Sequence, residues 1–197
     1  MFQTNAELIL ASQSPRRIDF FSELGLRFTS CPADLNETRK KNEAPIPFVR
    51  RIAYEKAEHV GTRYSSAWIL SADTIVTIGR DVLGKPQSAD EAVEMLMRLS
   101  GKEHEVQTGY CLFCDNESIT VVNSAMTKVR FIPFTEEVAR SYVKTGEPLD
   151  KAGAYGIQGL GGILVAGIKG SYSNVVGLPM AEIITLLQHY KVISPRP

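Results

Sequence analysis

The chain has 197 residues, with 22 basic side chains balanced by 22 acidic ones. That balance supplies no bulk field to draw the protein onto nucleic acid or an anionic membrane, so anion binding must come from local clusters. No apolar run approaches the ~20 residues a bilayer span needs. The N-terminal MFQTNAELILASQS lacks the charged start and long apolar stretch of a signal peptide. The three cysteines do not suggest a disulfide framework and point to a reducing cytoplasm.

Taken in chain order, residues 7–11 read as a short apolar strand. Ser14 is placed to cap a helix with Pro15 at its first position, carrying Ile18, Phe21 and Leu24 on one side and ending at Gly25. Residues 27–31 are a second strand, and 48–60 a helix burying Val49, Ile52, Ala53 and Ala57. Residues 68–78 form a strand too apolar for an exposed edge. Ser88 and Glu91 make a capping box for a helix that stops at Gly101. Strands follow at 105–114 and 119–130 around a turn at Asp115 and Asn116, then a helix that Thr135 is placed to cap and that runs to Lys144. A late strand is expected at 162–168, and Pro179 opens a final helix running to about Tyr190. The class is mixed α/β. With no repeat, low-complexity stretch or long linker, residues 1–197 are expected to form a single domain.

Three segments carry candidate chemistry. In LASQSPRR, residues 10–17, a strand ends in a Ser-rich turn that enters a helix N-terminus. Free amides and the helix dipole attract phosphate there, Ser12 and Ser14 add hydroxyl donors, and Arg16 and Arg17 add fork-shaped cations. The same residues also suit a plain N-cap beside a solvated basic face, and no Gly-Lys-Thr run makes a P-loop. In SADTIVTIGRDVLGKP, residues 71–86, Asp73 interrupts an apolar strand. An acid there is costly unless it is paired, metal-bound or facing a cleft. The third segment, GEPLDKAGAYGIQG at residues 146–159, sets an acid, a base and an amide among four glycines, which let backbone amides approach a ligand closely.

Other polar residues read more plainly. Cys111 and Cys114 form a single CxxC pair inside an apolar run, best read as opposite faces of one strand and not as a zinc or redox site. His104 at a strand start reads as structural, and His59 and His189 as surface residues. Neither HExxH nor a Ser-His-Asp order is present. GSYSNVVGLP, residues 170–179, is a turn entering the last helix.

Together, these three segments resemble the Maf-like nucleoside triphosphate pyrophosphatases over nearly the whole chain. The resemblance implies a mixed sheet in two lobes with a central cleft, a fold of the Maf and inosine triphosphatase type. It implies Asp73 as proton acceptor, and Ser12, Ser14, Arg17, Lys56 and Lys85 on the phosphates. Glu37 and Asp73 become ligands for a divalent cation (Mg, Mn or Co). Lys151 matches the family motif, with Asp150 as an alternative partner for it. Arg16, Thr74 and Gln158 match the dTTP/UTP branch, in contrast to the branch acting on 7-methyl-GTP, which has Glu at the last position. The departures are Asn36 where the family often has Asp, and Gln13 within SxSPRR. The expected partner is a nucleoside triphosphate, with a homodimer as the candidate assembly and no nucleic acid or membrane. The rival reading is a non-catalytic nucleotide-binding regulator of cell division or septum formation. The intact set of Asp73, Glu37 and lysines favours the enzyme, since binding alone does not require an acid to activate water.

Overall fold

The computed structural model describes residues 1–197. Nine strands are β1 (Phe2–Thr4), β2 (Leu8–Leu10), β3 (Thr29–Ser30), β4 (Trp68–Ile78), β5 (Asp81–Leu83), β6 (Glu103–Cys114), β7 (Ile119–Phe131), β8 (Val165–Lys169) and β9 (Ile193–Pro195). Six helices are α1 (Pro15–Glu23), α2 (Pro45–Gly61), α3 (Ala89–Leu99), α4 (Glu136–Lys144), α5 (Tyr172–Val176) and α6 (Met180–His189). Six strands run in the order β3-β2-β4-β6-β7-β8, β5 adds to β4, and β1 pairs with β9 in a separate ribbon. β2 is parallel to β3 and β4, while β5 and β8 are antiparallel to β4 and β7, so the sheet is mixed. No helix is long and apolar enough to cross a membrane.

The chain divides into two compact units. The first holds residues 1–73, 108–125 and 177–197. Its strands β2, β4 and β6 are buried on both faces, and the period of two sorts their side chains between two cores. Leu8, Leu10, Trp68, Leu70, Ala72, Tyr110, Leu112 and Cys114 pack with Phe21 of α1 and with Ile183 and Leu187 of α6. Ile9, Ala11, Ile69 and Cys111 pack with Ala53, Ala57 and Val60 of α2. The two cysteines thus fall on opposite sides of β6, as expected. All three cysteines are free, and burial pushes the Cys111 thiol up to about 12, which makes it a packing group.

α2 lies against the sheet because β6 offers no side chain at Gly109. A Cβ there would stand 2.2 Å from the Val49 carbonyl oxygen and 2.6 Å from the Arg50 nitrogen, both backbone atoms of α2.

The second unit holds residues 74–107 and 126–176. Leu96 and Leu99 of α3, Ala139 and Tyr142 of α4, and Val129 and Phe131 of β7 share one core with Tyr155. His104 is buried in this unit, as a structural histidine should be. Its Nε2 lies 2.8 Å from the Tyr155 hydroxyl, and its ring meets Phe131 and Tyr155 edge-on.

Five sequence expectations need correction. The strand expected at 27–31 pairs only at Thr29–Ser30. The late strand expected at 162–168 begins at Val165, because Gly159–Leu164 coils into a 3₁₀ turn. Ser14 and Thr135 occupy the N-caps of α1 and α4 without side-chain cap bonds. Ser88 does cap α3, accepting from the Glu91 amide at 3.1 Å, but the Glu91 carboxylate reaches back to Gln87 N and not to Ser88. The β1–β9 ribbon and β5 were missed, since each is a three-residue strand too short to show periodicity.

Two tests follow from this packing. Gly109→Ala drives a methyl into the α2 backbone and should lower the urea unfolding free energy by about 1–3 kcal/mol or more. An unchanged midpoint would mean that α2 does not sit this close to β6. Burial holds the His104 pKa at about 4, below the ordinary 6.5. The unfolded chain takes up this proton below 6.5 and the folded chain only near 4. Stability present above 6.5 is therefore lost as pH falls through that window, by about 2 kcal/mol near pH 5. His104→Gln should flatten the dependence between pH 7 and pH 5, and equal slopes in the two proteins would refute the assignment.

Candidate functional site

In the first unit, the α2 face of β4 is set by alternation. Ile69 packs toward α2, so Ser71 and Asp73 point the same way. The Ser71 hydroxyl donates to the Ala53 carbonyl of α2 at 2.5 Å. Two residues farther along β4 and three along α2, Lys56 Nζ donates to Asp73 Oδ1 at 2.9 Å. Lys56 and Asp73 are both buried, at 8 % and 9 % exposure. From the irregular segment before α2, Glu37 brings Oε1 to within 2.8 Å of the same ammonium. Two carboxylates thus converge on one buried cation. Burial of this kind is tolerated because each charge keeps a partner.

The Ser-rich turn supplies the second cation of this unit. Arg17 Nη1 donates to the Ala72 carbonyl at 2.8 Å, one residue before Asp73, and to Ser12 Oγ at 3.4 Å. Its Nε donates to the Gly177 carbonyl at 2.9 Å. Burial lowers the Arg17 pKa, with the Asp73 charge acting against it and Arg16 adding to the fall. Much of the Arg17 fork therefore fixes the turn to β4. Ser12 is buried and also accepts from the Ser14 amide at 3.2 Å. Ser14 and Arg16 are half-buried beside it.

In the second unit, Thr74 follows on β4 and is half-buried. Lys85 and Gln158 are exposed. Neither the Lys85 ammonium nor the Gln158 side chain is held by an ion pair or hydrogen bond within the protein. Their loops are joined: Gly153 N donates to the Gly84 carbonyl at 3.0 Å. Gly153 has φ +68, and a Cβ there would meet Val76 at 2.9 Å. Only glycine serves both the turn and the packing. Lys151, in contrast, is committed to its own segment. Its Nζ donates to the Glu147 carbonyl at 2.5 Å and to Asp150 Oδ1 at 2.7 Å, the partner suggested by sequence.

Sequence reading passed over Glu147, which organises the turn bearing Gln158. Its carboxylate accepts from the Tyr142 hydroxyl at 2.7 Å, from the Gly161 amide at 3.0 Å and from the Leu160 amide at 3.0 Å. Burial opposes its ionisation, but these hydrogen bonds outweigh it and the pKa lies below the usual carboxylate range. An acid ahead of a glycine-rich run, able to serve its orphan amides, was the available signal.

The fit to a divalent cation can be judged from the donors present. No group of three or more His, Cys, Asp or Glu side chains could hold a metal, so a closed protein cage is absent. Glu37 and Asp73 facing one cation position is nevertheless the donor set that suits Mg²⁺. That ion is held by one or two carboxylates and completes its shell with waters and substrate phosphates.

Known proteins resemble this chain in sequence and in fold. A dTTP/UTP pyrophosphatase of Desulfotalea psychrophila is 47% identical over 98% of this chain and 100% of its own. One of Myxococcus xanthus is 50% identical over 92% and 91%. The structure of the Staphylococcus aureus Ham1 protein is similar with a TM-score of 0.56, covering 94% of this chain and 97% of that one at 14% identity, a likeness of fold alone. The model of the Maf-like proteins matches residues 7–190, and the chain therefore belongs to the Maf family.

Proposed function

We propose that the chain is a cytoplasmic pyrophosphatase that hydrolyses dTTP and UTP to the monophosphate and pyrophosphate. The observation that carries this reading is the Lys56 ammonium held between Asp73 and Glu37. Lys56 shifts a hydrogen bond from Asp73 to a phosphate oxygen of the substrate, and the freed Asp73 oxygen then accepts a proton from water. That water adds at the α-phosphorus, the bond to the bridging oxygen breaks, and pyrophosphate leaves. Glu37 and Asp73 are the residues that would hold a divalent cation, whose chemistry is charge neutralisation on the phosphates. Ser12, Ser14, Arg17 and Lys85 bind phosphate oxygens. The relatives' shared name supports the substrate.

Asp73→Asn keeps an oxygen for Lys56 and loses the base. Steady-state pyrophosphate release with UTP should fall by about 10²–10⁴-fold, while the protein stays folded and still binds nucleotide. Near-normal turnover would remove Asp73 from the chemistry. An inactive wild-type protein that still binds UTP would favour a regulator that only holds nucleotide.

Base choice falls to Gln158, with Arg16 and Thr74 in support. A uracil or thymine edge presents an N–H beside carbonyl acceptors, which an amide with both donors and an acceptor can match. A carboxylate only accepts, and suits the paired donors of a guanine edge. A site with the wrong edge leaves polar groups unpaired and discriminates strongly. Gln158→Glu should therefore lower kcat/KM for UTP relative to 7-methyl-GTP by about 10-fold or more. An unchanged ratio would take Gln158 out of specificity.

A further inference from the structure

Residues 31–44, between β3 and α2, form no regular structure, yet they deliver Glu37 to Lys56. What holds them is visible on α2, one turn before Lys56. Arg51 engages all three nitrogens of its guanidinium. Nε and Nη2 each reach a carboxylate oxygen of Glu43 at 2.7 Å, and Nη1 reaches both oxygens of Glu55 at 3.1 and 3.0 Å. The remaining Nη2 proton goes to the Thr38 carbonyl at 3.2 Å. Thr38 is the residue after Glu37, and its amide donates to Asn36 Oδ1 at 3.0 Å, an Asx turn with Glu37 at its centre. Glu43 closes the segment's far end, since it accepts from the Lys40 amide at 3.0 Å and its own amide donates to the Lys40 carbonyl at 3.1 Å.

We propose that Arg51 is a positioning residue that clamps residues 36–43 onto α2 and so holds Glu37 at the Lys56–Asp73 pair. The inference rests on the reading of Glu37 as a carboxylate of the pyrophosphatase site. The hydrogen bonds from Arg51 hold the Glu43 carboxyl down at about 2, so the clamp stays ionised across the neutral range. Glu37 itself is exposed, with 46% of its side chain accessible, and burial does little to hold it. A planar fork with five fixed donors can meet two carboxylates and a carbonyl at once, and an ammonium cannot. Arg51→Lys therefore keeps the charge and loses the clamp.

The segment carries its own reporter, because Arg39, Lys40 and Lys41 are exposed and open to trypsin. In the full chain, Arg51→Lys and Glu43→Gln should speed cleavage at these three residues about tenfold, through local opening, with little change in the thermal midpoint. Arg51→Lys should also lower kcat for UTP on the order of 10- to 100-fold, since a displaced catalytic group is that costly. Added to Glu37→Gln, it should lower kcat by less than about twofold further, because residues acting through one another are not additive. Unchanged nicking, or a full further loss in the double variant, overturns the clamp. Wild-type turnover in Glu37→Gln overturns the reading of Glu37 instead, and the nicking rates still decide whether Arg51 fastens the segment.

Discussion

The buried pairing of Lys56 with Asp73 is the constraint on which the first unit is arranged. Taking both charges out of water costs several kcal/mol per ion, and the pair survives only where geometry and added partners offset it. Here the geometry comes from the close seating of α2 on the sheet. Gly109 removes the one side chain that would hold the helix away. The Ser71 to Ala53 bond sets the axial register, which brings residue 56 of the helix beside residue 73 of the strand. Glu37 then completes the charge balance from outside the regular elements. The helix, the strand and the irregular segment each contribute one charge, so a shift in any of them exposes or strands the other two.

The second unit uses a different device. Its ligand-facing candidates, Lys85 and Gln158, lie on exposed turns, where packing alone would leave them loosely placed. Backbone hydrogen bonding supplies what burial does not. Gly153 and Ala154 both take positive φ, at 68 and 58, which bends the chain so that Gly153 meets Gly84 beside Lys85. Glu147 satisfies the orphan amides of the turn that follows Gln158. A left-handed alanine is costly, and it persists because the surrounding bonds and the Val76 contact over-determine the turn. The exposed groups are thus free at their tips and fixed at their roots, as recognition of a polar ligand edge requires.

The regular elements with strong periodicity were legible from sequence, and the reason is burial. β4 at Trp68–Ile78 matched to the residue because it is buried on both faces, α2 showed its apolar stripe, and α3 and α6 showed their start signals at Ser88 and Pro179. The alternation that separates Cys111 from Cys114 could also be read directly. Elements that draw on distant partners could not. β1 and β9 are three-residue strands from opposite ends of the chain that pair only with each other. The 3₁₀ turn at Gly159–Leu164 depends on a carboxylate twelve residues upstream of its start.

The site divides along the same line. Sequence by itself determined which residue types stand where: an acid in an apolar strand, Ser and Arg ahead of a helix, and an acid, a base and an amide among glycines. Those types are set by local chemistry and by the family motif, so Asp73, Arg17 and Gln158 could be named without coordinates. Only the tertiary structure decided their partners. It gave Asp73 to Lys56, spent Arg17 largely on the carbonyls of Ala72 and Gly177, and revealed Arg51 and Glu147 as the residues that hold the irregular segments. The physical reason is that a hydrogen bond or ion pair is a relation between two positions in space. Strand register and helix seating bring those positions together, and neither is written in the spacing of residues along the chain.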